Sequence, residues 1–98
     1  MSPEQKEFLR MDNSPARLNA QQTGWKLGFQ SHDIPVLVSA KLLDPLGHPA
    51  ANAPKYFASA DIEVLKTDRK WLARATDAIQ KHWQRKNGLR PGTAGSQP

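Results

Sequence analysis

The stretch "KLGFQSHDIPVL", Lys26 to Leu37, has helical apolar spacing on both sides of an interruption made of Gly28, the polar triplet Ser31-His32-Asp33 and Pro35. One continuous helix does not survive such a break, whereas two helices meeting at a tight turn are helped by it. Gly28 can adopt the left-handed conformation that ends helices. Pro35 lacks an N–H and fits only among the first helical positions, whose amides have no partner within the helix. The spacing therefore predicts a helix ending at Gly28, a turn of about four residues, and a second helix capped by Asp33 or His32. Ile34, Leu37 and Val38 mark its buried face, Val36 widens that face, and the helix ends near Ala40-Lys41.

Upstream, Asn19 is a favoured N-cap, and Gln22 stands where its side chain can bond back to the cap amide. Gly24 inside this helix costs about 1 kcal/mol relative to Ala, which fits a second helix crossing closely there. Downstream, "LLDPLGHPAANAPKYFA" predicts two short strands, Leu42-Leu43 and Tyr56-Phe57, paired across a long loop from Asp44 to Pro54. A helix then starts at Ala58 or Ser59, with Asp61 in its first turn and Ile62 and Leu65 inward. Asp68 can cap a last helix over about 69–87, with Leu72, Ala75, Ala78, Ile79 and Trp83 on its apolar stripe. Trp25, Tyr56, Phe57 and Trp71 sit at core spacings; Trp83 either covers the domain edge or marks a contact surface.

The fold class is thus mainly α with a small β-hairpin. Residues 18–87 form one domain, 1–17 a flexible or loosely docked N-terminal segment, and 88–98, "LRPGTAGSQP" with the preceding Gly, a disordered tail by composition. Such a domain is small, and with no Cys it has neither disulfides nor thiolate metal sites. No apolar run reaches the length of about 20 residues that spans a bilayer, and "MSPEQKEFLR" lacks the apolar middle of a signal peptide. A soluble, cytoplasmic protein is expected.

The charge is asymmetric. Residues 1–65 hold six Lys/Arg against seven acids, a net of −1, while residues 66–98 hold eight against two, a net of +6. A concentrated positive stretch attracts polyanions; the bland alternative is a solvated helix face.

The run "LNAQQTGWKLGFQSHDIPVLVSAKLL" with "KYFASADIEVL" (Lys55 to Leu65) resembles the excisionase-like and MerR-like winged helix-turn-helix DNA-binding domains over about half the chain. The resemblance implies that the second helix enters the major groove, with Gln30, Ser31, His32, Val36, Ser39 and Lys41 on or near the reading surface. It places His48, Asn52 and Lys55 on a wing. The basic last helix would supply phosphate contacts through Lys70, Arg74, Lys81 and Arg85. The partner is then double-stranded DNA, and a module this small needs a dimer or several adjacent copies for tight binding. The expected role is a transcriptional regulator or an excisionase-type architectural factor in recombination.

The second helix carries no Arg to reach guanine, which motivates an alternative: a protein-interaction module on the same scaffold. His32, His48 and His82 have no carboxylate or Cys at ligand spacing, so no metal or other cofactor is expected. Ser31-His32-Asp33 are sequence neighbours pointing in different directions and do not make a catalytic triad. Neither an enzyme nor a small-molecule or membrane-binding protein is expected.

Overall fold

A computed structural model describes residues 2–11 and 15–87. The elements run α1 (Pro3–Leu9), β1 (Arg17–Asn19), α2 (Ala20–Leu27), a 3₁₀ turn (Ser31–Asp33), α3 (Ile34–Ser39), β2 (Tyr56–Ala58), α4 (Ser59–Lys66) and α5 (Arg69–Asn87). The expected tail over 88–98 lies outside the described residues.

The corner forms as the local chemistry demands. Asn19 accepts from the Gln22 amide at 2.8 Å, and Gln22 Oε1 accepts from the Asn19 amide at 3.1 Å, closing a reciprocal cap on α2. Gly28 ends α2 at φ 86°, its N–H donating to Gly24 O. A Cβ on Gly24 would lie 2.7 Å from the Phe29 carbonyl oxygen, so the close approach expected there is real. What approaches is the turn itself, rather than a crossing helix.

The predicted Leu42-Leu43 strand is not present. Tyr56–Ala58 pairs antiparallel with Arg17–Asn19, in the register Arg17↔Ala58, Leu18↔Phe57 and Asn19↔Tyr56. The physical reason lies at the end of α3. Lys41 takes φ 64°, the Lys41 N–H donates to Val38 O, and the Leu42 N–H donates to Leu37 O, which together make a Schellman motif. Leu43 N–H also donates to Leu37 O, and Leu42 O accepts the Trp71 indole N–H at 2.9 Å. The two leucines are apolar because they cover the core, and the backbone groups that a ladder would use are spent on helix capping and on Trp71. Among the described residues, one backbone hydrogen bond ties the 40–55 arm to β2, from the Leu46 N–H to Tyr56 O at 2.8 Å.

The two strands do more than pair. Each runs straight into an eight-residue helix, β1 into α2 and β2 into α4. Leu18 and Phe57, opposite each other, are 0% and 1% exposed. Ile34, Leu37, Leu43, Ile62, Trp71 and Ala75 complete the centre of the core. Of the aromatic residues expected there, Phe57 and Trp71 are buried, while Trp25 and Tyr56 are half-buried. Trp25 meets the buried Phe8 of α1 at 5.6 Å between ring centroids, so α1 has an anchor in the core. Tyr56 lies under the Arg17 guanidinium at 4.1 Å.

α5 runs over the predicted span. Asp68 caps it by accepting from the Trp71 amide at 3.1 Å. Among the described residues, no helix is long and apolar enough to cross a membrane.

Candidate nucleic-acid interface

The 3₁₀ turn and α3 present a surface whose construction depends on Asp33. The Asp33 side chain is 10% exposed, and each of its carboxylate oxygens has a partner. Oδ2 accepts the Gln30 amide at 3.1 Å, so the side chain closes the turn. Oδ1 accepts the Trp83 indole N–H at 3.1 Å, fifty positions along the chain. A carboxylate that would repel phosphate is thereby turned inward. Trp83 gains a partner for its one polar atom, and α5 is pinned against the corner.

Around that link stands a cluster of rings and cations. The His32 ring meets Trp83 edge-on at 5.5 Å, and its Nε2 is 3.7 Å from Asp33 Oδ1. His82 meets the same indole at 4.7 Å, and Lys86 Nζ lies 5.6 Å from its centroid. Trp83 is half-buried here and covers the domain edge.

Beside the link, α3 and α5 enclose an open groove of about 570 Å³. Pro35, Val36, Ala40 and Ala78 supply its apolar lining, and His32, Ser39, Lys81, His82 and Arg85 its polar one. The structure thus brings together His32, Val36 and Ser39 of the expected reading surface with Lys81 and Arg85 of the expected phosphate contacts. Val36, expected both to widen the buried face of α3 and to stand near the reading surface, is 9% exposed and lines the groove. Gln30, Ser31 and Lys41 are exposed nearby on the chain but do not line the groove.

At 100° per residue, Lys70, Arg74, Lys81 and Arg85 fall within roughly 60° of one another, a row roughly 22 Å long on one flank of α5. Lys81 is paired with Asp77 at 3.2 Å. Lys70, Arg74 and Arg85 form no ion pair among the described residues. Lys70 and Arg74 border a separate hollow near the start of α5, so they extend the row without joining the groove.

The expected wing residues lie apart. His48 and Asn52 are exposed on the arm, and Lys55 folds back to donate to Ala51 O at 3.1 Å. None of the three lines the groove. His82 was not among the expected site residues, although its place beside Lys81 on the edge of the α5 stripe is legible in the sequence. The Asp33–Trp83 link has no sequence signal, because nothing local connects positions so far apart.

No group of three or more His, Cys, Asp or Glu side chains able to hold a metal ion occurs among the described residues. Comparison of the chain with family models, with curated protein sequences and with solved structures finds no match.

Proposed function

We propose that this chain is a small duplex-DNA-binding protein of winged-helix type, serving as a transcriptional regulator or as an architectural factor in recombination. The corner and α3 meet the major groove through Gln30, Ser31, His32, Ser39 and Lys41. The arm carrying His48, Asn52 and Lys55 acts as the wing, and Lys70, Arg74, Lys81 and Arg85 neutralise phosphates. The observation that carries this reading is the shared groove: Lys81 and Arg85 of the basic helix stand beside His32 and Ser39 on one surface. Affinity for duplex DNA comes largely from such cations, while base contacts set specificity. With no Arg on α3 to fork onto guanine, most of the binding energy here is sequence-independent.

Titration of a mixed-sequence duplex at about 50 mM and then about 200 mM salt tests the proposal. Binding that falls steeply with salt is expected; no binding at the lower salt rejects it. Charge reversal at Arg74, Lys81 and Arg85 should weaken binding evenly across sequences. If only changes at Gln30, Ser31 or Ser39 weaken it, the phosphate contacts do not lie on α5. A protein-interaction role gains support from a second groove, acidic and apolar, on another side of the molecule.

A further inference from the structure

That second groove, about 310 Å³, lies between the start of the arm at residues 42–44, β2 and α4. Leu42, Leu43, Phe57 and Ile62 form its floor, and Val64, 66% exposed, stands at its edge. Its only charged lining residues are Asp44 and Asp61, in a chain whose net charge is +5. Leu46, 46% exposed, hangs from the same arm two residues after Asp44.

The other large apolar side chains left exposed among the described residues are Leu9 at 37% and Met11 at 46%. They flank the exposed Arg10. This corner has a defined backbone: Arg10 N–H donates to Lys6 O and Met11 N–H to Phe8 O. It is a cation between two apolar side chains, the chemical complement of an apolar groove rimmed by two carboxylates.

The two patches of one molecule do not face each other. On α4, Glu63 points toward α2 and α1, pairing at 3.3 Å with Lys26, whose ammonium lies 5.5 Å from the Phe8 ring centroid. Asp61 and Leu65 occupy the opposite flank of the same helix and line the groove, with Val64 beside them at its edge.

We propose that copies of this chain associate head to tail, the Leu9-Arg10-Met11 corner of one docking into the Asp44–Asp61 groove of the next. Because the surfaces differ, the contact is heterologous and repeats from copy to copy. A patch this small belongs to the class of weak interfaces below about 1,200 Å², so association is expected only at high local concentration. The inference is independent of the DNA reading and is tested without DNA.

Sedimentation velocity of the full chain from about 10 μM to about 1 mM should show a rising weight-average coefficient. Arg10→Glu and the pair Asp44→Lys/Asp61→Lys should each weaken association at least about tenfold, because like charges then face each other. Mixing the two variants should restore it, since the acidic corner of the first now meets the basic groove of the second. Circular dichroism verifies that each variant is folded; Asp44→Lys alone replaces the pair if it is not. A wild-type coefficient independent of concentration overturns the proposal. So does association that survives both reversals, or a mixture no more associated than its components.

Discussion

Lys41 is a side chain held where a glycine would be more comfortable. At φ 64° its Cβ crowds the following carbonyl, a cost of about 1 kcal/mol that Gly28 and Gly47, also at positive φ, do not carry. Strain of this kind collects at functional positions, and Lys41 is the one cation on the exit from α3. Lys41→Gly should therefore raise stability by about 0.5–1 kcal/mol in urea melts while lowering affinity for duplex DNA. If stability falls instead, the Schellman geometry does not govern this site. Gly24 presents the reverse case. Gly24→Ala drives a methyl to within 2.7 Å of the Phe29 oxygen and should lower the urea midpoint by the equivalent of about 1–3 kcal/mol, with an unchanged m-value.

At the scale of elements, α5 is fastened to the corner through Trp83 and to the end of α3 through Trp71, whose indole donates to Leu42 O. A double-mutant cycle of Trp83→Phe with Asp33→Ala should report a coupling of about 1–2 kcal/mol, because the lone indole change strands a buried carboxylate oxygen. Additive effects in that cycle would mean the bond contributes nothing. The helices and their ends were largely readable from sequence, because capping is local: Asn19 with Gln22, Gly28 and Asp68 each act within a few residues. Strand pairing was not readable. Three-residue strands carry too little alternation to announce a partner, and Arg17–Asn19 reads only as the lead-in to a helix. Leu42-Leu43 had the apolar content of a strand but was claimed by the Schellman turn.

For the whole molecule, charge is the organising quantity. The positive flank of α5 stands beside α3, and the acidic groove lies elsewhere. If the cationic row meets phosphates, each contact contributes about 0.9 to the slope of log affinity against log salt on duplex DNA. Arg85→Glu should then reduce that slope by about 1, and Lys81→Glu by less, since Asp77 already holds part of the Lys81 charge. Equal slopes in both variants and wild type would place the phosphates elsewhere. This grouping was only partly visible in the sequence: one row of cations follows from helical spacing, but its placement beside α3 depends on the long-range link through Asp33.

The antiparallel match of Leu18 with Phe57 encloses the corner, α3 and the arm within a single closed stretch of chain. Closing such a stretch costs entropy that grows only with the logarithm of its length, roughly 0.6 kcal/mol per doubling. Extra residues between His48 and Asn52, beyond the Leu46–Tyr56 tie, therefore add little to that cost and leave the sheet in register. The arm is therefore the place where the chain tolerates added length best, while the body that carries it stays the same.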